Sequence, residues 1–569
     1  MNAIDWLVLA ASIVGIAVYG VWKTRGRQNI EGFLLGNKNM HWWTIGLSIM
    51  ATQASAITFL STPGQAYGDG MRFIQFYFGL PLAMVILSIT AIPIYYRLKV
   101  YTAYEYLETR FDLKTRMLAA LLFLIQRGMA AGITIYAPAI ILSTIFKWPL
   151  MYTNLIIGVL VIIYTVSGGT RAVSETQKQQ MIIMLTGMLV AGGMVIWLLP
   201  EKISLNHALH IAGRMDKLNL LDFSFDLGNR YNFWSGMLGG VFLFLSYFGA
   251  DQSQVQRYLT GKSVAESRLG LLFNGILKIP MQFVILMIGV LVFVFYQFTM
   301  PPVVFNPTLV NDQVRTEWKS EVESLESDYE AVFHEKREKL YALAEAIENG
   351  DRDLQAVLER QIKEKMAESE AIRADMKALV KQANPAAETE DSDYIFITFA
   401  LNHLPHGLIG LLLAVIFAAA MSSTAGELNA LASTTTIDIY KRSIARNASD
   451  RHYVVSSKLF TLVWGLLALS FAAFAALIDN LIQAVNIIGS LFYGAILGIF
   501  LAAFYFKRLQ ANAIFIGALM AEAVVIAFFF LSHYGVVEIS YLWFNLIGCA
   551  LALVFASVIQ YITPQKSSE

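Results

Sequence analysis

The chain of 569 residues is 56% apolar and 15% charged, with 42 basic against 42 acidic residues, a mean hydropathy of +0.55 and a single cysteine, Cys549. So large an apolar excess at so low a charge excludes a string of soluble globular units and describes a polytopic membrane protein. One cysteine excludes a disulfide framework or a cysteine-ligated metal, and the neutral total argues against a nucleic-acid partner.

A helix needs about 20 mostly apolar residues to cross the hydrocarbon core. Such windows fall at 3–22, 42–62, 73–96, 116–146, 150–167, 174–199, 233–257, 267–296, 406–436, 456–477, 481–505, 511–532 and 541–562, which predicts spans 1 to 13. Span 1 has no basic residue before it and Lys23, Arg25 and Arg27 after it, the reverse of a cleavable signal peptide, so it is expected to be retained with its N-terminus outside. The basic loops then alternate in phase with the count: Arg97, Lys99, Arg110 and Lys114, then Arg171, Lys262, Lys441, Arg442, Arg446 and Arg451, Lys507 and Arg508, and Lys566 all fall inside. Short outer loops carry one basic residue or none, as at Arg72, Lys147 and Asp479. The expected location is a multi-pass plasma (inner) membrane protein with a cytoplasmic C-terminus.

The neutral total conceals two regions. Residues 312–393 hold 22 acidic and 12 basic side chains, which leaves 30 basic and 20 acidic over the other 487 residues. This block has no proline until Pro385, and apolar residues recur at helical spacing on both sides of Asn349-Gly350-Asp351. It predicts a charged helical hairpin outside the membrane, either a solvated insert or a surface for an extracytoplasmic partner.

At membrane depth, span 2 contains Thr52-Gln53-Ala54-Ser55 and Thr58, and span 7 contains Ser246 and then Gly249-Ala250-Asp251-Gln252-Ser253-Gln254. Both read as interrupted helices five spans apart in opposite orientation. That pattern suggests inverted repeats, spans 2–6 and 7–11, with a substrate at the midplane; polar glue between packed helices is the alternative. Span 9 carries the densest polar stripe, Ala419-Ala420-Met421-Ser422-Ser423-Thr424-Ala425-Gly426-Glu427-Leu428-Asn429. Adjacent hydroxyls with carbonyls from a broken helix supply hard oxygens for a sodium ion.

Four segments together, FAAAMSSTAGELNALASTTTIDIY, TAYEYLETRF at 102–111, SGGTRAVSETQKQQ at 167–180 and GADQSQVQRYL at 249–259, resemble the sodium:solute symporter family, closest in motif to its iodide, multivitamin and monocarboxylate branch. The resemblance implies an all-α polytopic membrane protein of about 13 transmembrane helices, a five-plus-five inverted-repeat core with one preceding and two following helices. It divides the chain at 1–40 (first helix and loop), 41–200 (first repeat), 201–232 (outer loop), 233–304 (second repeat, first part), 305–395 (hairpin insert), 396–508 (second repeat, remainder) and 509–569 (terminal helices and tail). It also implies Na+ held by the Ala51, Ala54 and Ala419 carbonyls with the Ser422 and Ser423 hydroxyls. Relatives with a second sodium site use an aspartate and two hydroxyls where this chain has Gln177 and Ala425-Gly426, so one sodium per cycle is expected. Glu427, one turn beyond Ser423, is expected to join a remodelled ion site, carry a proton or pair with Lys178 or Lys278.

For the substrate, the cavity between the interrupted helices makes Gln53, Thr58, Gln75, Gln126, Arg127, Tyr247, Asp251, Ser253, Lys278 and Asn486 the candidates. Ser253 stands where sugar-transporting relatives have an aromatic gate, and Arg127 and Lys278 could receive a carboxylate. These features imply sodium-coupled uptake of a small organic solute (a monocarboxylate, a vitamin-like anion or a sugar) by alternating access, with a transporter-like sensor as the alternative. Neither an HExxH metal motif nor a Gly-rich phosphate loop occurs, so an enzyme is not expected.

Overall fold

A computed structural model of the chain describes residues 1–23, 30–385, 387, 389–473 and 481–563, the side chains at 17, 20–23, 37, 164, 167–169, 171, 172, 312 and 313 excepted. Arg25 and Arg27, the Asp479 turn and the tail from Pro564 with Lys566 lie outside the described residues, as do the side chains of Lys23 and Arg171. Among the described residues, regular secondary structure is helical, and the helices Ala3–Lys23, Leu113–Phe146, Val264–Phe298, Leu408–Thr434, Asp450–Ala472, Leu481–Tyr505, Ala511–His533 and Tyr541–Ile562 fall on the predicted windows.

Span 2 is two helices, Trp42–Gln53 and Ala56–Asp69, separated where Ala54 (φ −85°, ψ 79°) and Ser55 (ψ 174°) leave helical geometry. Span 7 breaks between Gly240–Gly249 and Gln252–Tyr258. There the Asp251 carboxylate accepts the Ser253 amide at 2.9 Å and starts the second piece as an N-cap. Polar side chains in the middle of apolar helices therefore mark real interruptions, each exposing helix-end carbonyls and amides.

The helix Leu150–Trp197, 48 residues long, covers predicted spans 5 and 6 together. At about 1.5 Å per residue it would be roughly 70 Å long if straight, more than twice the hydrocarbon thickness. Packing shows two antiparallel halves instead. Gly158 lies against Leu469 and Ile162 against Gly465, whereas Gly187 meets Val415 and Gly192 meets Ile288. Each neighbour's direction makes residues 158–162 run inward and residues 187–192 run outward.

The charged block forms two antiparallel helices, Lys319–Glu348 and Arg352–Ala383. Gly350 (φ +70°) makes the turn in the left-handed region that favours glycine, and Asp351 caps the second helix by accepting the Leu354 amide at 3.0 Å. The Lys365–Glu335 ion pair and the Lys339–Gln361 hydrogen bond set the register. The hairpin folds back on its own chain through Arg214–Glu359 (3.0 Å), Lys363–Asp216 (3.0 Å) and Lys377–Asp391 (2.9 Å). Its linker presses on span 2 so closely that a Cβ at Gly64 would stand 2.0 Å from the Ser392 carbonyl oxygen. Asp5, in the first turn of span 1, accepts the Gly407 amide at 2.6 Å, which places the start of the chain on the hairpin side, called outer below.

Candidate functional site

A cavity of about 90 Å³ lies beside the break in span 2. Gln53, Thr58, Gln126, Arg127, Tyr247 and Asn486 line it, with Phe76, Tyr77, Phe244 and Tyr493. The Gln53 Oε1, Gln126 Oε1 and Arg127 Nε atoms are buried without a hydrogen-bond partner. The wall therefore offers two acceptors and one donor over an aromatic lining.

Four other candidates lie away from this cavity. Gln75 donates to the Tyr231 carbonyl at 2.7 Å and accepts the Asp222 amide at 3.0 Å, so it ties the outer loop to span 3 instead of meeting solute. Ser253 donates to Asp251 at 2.7 Å within the cap. Asp251 lies behind Arg127. Lys278 is fully buried, its ammonium unbonded and 5.7 Å from the ring of Tyr77, which lines the cavity whereas Lys278 does not.

Arg127 does not offer a free charge. Its guanidinium pairs with Asp251 of span 7 and with Glu427 of span 9 (3.1 Å), and bonds the Tyr493 hydroxyl at 2.6 Å. Tyr493 in turn donates to Asp251 at 2.8 Å. Two carboxylates thus share one cation, which answers a buried charge's need for a partner. The expected Glu427 partners, Lys178 and Lys278, are both displaced: Lys178 pairs with Glu175 at 3.0 Å, and Glu427 takes Arg127.

Of the expected sodium oxygens, those of Ser422 and Ala51 meet across two spans. Ser422 Oγ reaches across to the Ala51 carbonyl at 3.0 Å and Ser423 Oγ bonds the Ala419 carbonyl at 2.9 Å, while Ala54 sits in the non-helical step of span 2. Beside them Gln177 accepts from Ser48 at 2.5 Å and donates its amide to Thr52 Oγ1 and the Ser422 carbonyl, each at 2.9 Å. The Gln177 amide N–H is thus committed to Thr52 Oγ1 and the Ser422 carbonyl, at the position where the expected second site would need a carboxylate.

Below the cavity, the 102–111 segment interlocks both halves of the bundle. Thr102 and Arg116 converge on buried Asp438 at 2.8 and 2.7 Å, Glu108 bridges Arg116 (2.8 Å) and Arg442 (2.6 Å), and Gln252 bonds the Ala103 amide and the Tyr101 carbonyl. The Arg442 hydrogen bond, assisted by Arg116, holds the Glu108 carboxyl below the usual range. The sequence reading quoted these motifs without this lock, and it missed Tyr77, Phe244 and Tyr493, since aromatic residues in apolar spans carry no deviation from their surroundings.

This geometry accompanies a match to one family's sequence pattern over residues 33–320 and 369–521, most of the chain. The chain belongs to the sodium:solute symporter family. It is 31% identical over 300 residues to the sodium/iodide cotransporter of Homo sapiens, covering 52% of this chain and 46% of that protein. It is 27% identical over 527 residues to sodium-coupled monocarboxylate transporter 1 of Xenopus laevis, covering 91% and 71%. Against the first of these relatives the chain spans about half their length. A Na+-coupled sialic acid symporter, solved in a substrate-bound outward-open state, superposes with a TM-score of 0.75 over 99% of this chain and 98% of its own at 22% identity, which fixes the fold as that of a helical symporter.

Proposed function

We propose that this multi-pass membrane protein is a sodium-coupled secondary active symporter of a small organic solute and not an enzyme. The observation that carries this is the contact of the Ser422 hydroxyl of span 9 with the Ala51 carbonyl of span 2, two residues before Gln53 of the cavity wall. Oxygens from Ala51, Ala54, Ala419, Ser422 and Ser423 suit a weakly held hard cation. Because they come from both repeats, the ion binds fully only when the repeats are together, which couples it to alternating access. Gln53, Thr58, Gln126, Tyr247 and Asn486 recognise the solute, and the cations of the site do not receive it: Arg127 is held by two carboxylates, and Lys278 is off the wall.

The Gln177 amide supports a single sodium per cycle. Initial uptake rates into proteoliposomes against sodium concentration are expected to give a Hill coefficient near one; a value near two contradicts the single site. The inward positive loops support an orientation with the N-terminus and hairpin outside the plasma (inner) membrane and the C-terminus cytoplasmic. For an extracytoplasmic partner of 312–393, the support is the hairpin's exposed charged rows, since its apolar stripes pack within the chain.

A further inference from the structure

The family match omits residues 321–368, the larger part of the hairpin. The omitted part sets Tyr329, Lys336 and Met366 against side chains that lie within the match, among them Tyr67, Lys217 and Phe293. Between the hairpin and the outer ends of spans 2 and 8 lies a second cavity, of about 380 Å³, separate in its lining from the central one.

Charge is segregated across this cavity. Its two rim carboxylates, Asp69 and Glu370, are exposed. Deeper in, Asp391 is 2% exposed and is shared by Arg373 (3.2 Å) and Lys377 (2.9 Å), and Glu390 accepts the Asp391 and Ser392 amides. Lys336 is only 5% exposed, and no carboxylate lies within ion-pair distance of its ammonium among the described residues; it rests 5.8 Å from the Phe333 ring. Lys217 donates to the Gly68 carbonyl and lies 4.8 Å over the Phe293 ring. The lining thus carries four cations, Lys217, Lys336, Arg373 and Lys377, against four carboxylates, two of them on the rim. Burial pushes the Lys336 ammonium down to about 8, with Arg373 adding to the effect and Glu370 opposing it, and burial lowers Lys217 as well. Lys336 and Lys217 line the same cavity, with Asp69 and Glu370 as its rim carboxylates. The Tyr296 hydroxyl has no hydrogen-bond partner, and Tyr67 and Phe293 supply an aromatic wall.

We infer that the cavity under the hairpin is a binding site for a small organic carboxylate, its head on Lys336 and Lys217 and its apolar or aromatic body on Tyr67, Phe293 and Tyr296. The site is independent of the sodium oxygens and of the symport reading. A desolvated ammonium gains more from an anion than an exposed one does, because the local dielectric is low and no carboxylate competes at contact distance.

The test uses the full chain in nanodiscs in sodium-free choline buffer, titrated with acetate, lactate, 4-fluorobenzoate and phosphate, and with 4-fluorobenzamide as the uncharged match. Binding of a carboxylate is expected, with the amide at least about tenfold weaker. K336Q should weaken carboxylate binding at least about tenfold, K336R should restore most of it, and E370Q, which removes the rim competitor, should tighten it. Thermal unfolding of each variant checks that the fold is kept. Absence of carboxylate binding up to about 10 mM, binding of the amide equal to the acid, preference for phosphate alone, or full binding by K336Q would each overturn the inference.

Discussion

At the scale of single residues, Arg127 decides how the core tolerates charge. Removing it leaves Asp251 and Glu427 buried with no cation, a situation that costs about 3–5 kcal/mol when a buried pair is broken. Arg127→Gln should therefore lower stability by that order, while the further change Glu427→Gln should return part of the loss, because one unpaired carboxylate is removed with it. A double-mutant cycle read by thermal unfolding checks this; strictly additive losses would mean that the two side chains do not share charge. The sequence made both residues visible as charges at membrane depth but not as partners, since 300 positions separate them. The same limit explains Gln75. A polar residue at the head of a span reads as solute-facing, and only the folded loop at 222–231 shows that its hydrogen bonds are already taken.

Among the elements, the hairpin is held by contacts of two kinds. Its ion pairs to Arg214 and Asp216 are part-exposed and each contributes at most about 1 kcal/mol. The approach of the 390–395 linker to Gly64 is backbone against backbone and cannot yield. Gly64→Ala should thus separate the linker from span 2, seen as faster amide exchange through 319–383 with the sodium-site helices still protected; unchanged exchange in the hairpin would contradict the contact. Lys336 gives the hairpin a pH signature. Its ammonium is disfavoured in the folded state, about 8 against the ordinary 10.5, so the unfolded chain binds the extra proton between those values. The penalty, roughly 3 kcal/mol, is fully present below about pH 8 and fades as pH rises toward 10.5. Stability should accordingly rise over that window by this contribution, and Lys336→Met should abolish the rise; a Lys336→Met curve parallel to the native one would contradict it. The two helical arms and the Asn349-Gly350-Asp351 turn were legible from period and turn chemistry, whereas their docking was not, because it depends on side chains from 214, 216 and 391 that lie far from the hairpin tip in sequence.

On the scale of the whole molecule, the breaks at Ala54 and Asp251, the span 9 hydroxyls and the 102–111 lock connect both repeats around one cavity. Hydropathy and the alternation of basic loops were enough to predict nearly all of this helical order, because lipid forces each span to satisfy its own backbone. The exception is spans 5 and 6, which fall within one helical element, Leu150–Trp197. Six of the ten substrate candidates lie on the cavity wall because polar residues near a broken helix have few other reasons to be there, and most of the aromatic part of that wall was invisible for the opposite reason.

The central claim is that sodium binding at the junction of spans 2 and 9 drives solute uptake. Proteoliposomes with an imposed inward sodium gradient, screened over sugars, monocarboxylates, amino acids and vitamins, test it most directly with the native chain beside Ser422→Ala/Ser423→Ala. The account predicts accumulation of one solute above its external concentration, abolished when the gradient is collapsed and at least about tenfold weaker in sodium affinity for the double variant. Accumulation that persists without sodium, or a double variant with native sodium dependence, would contradict it.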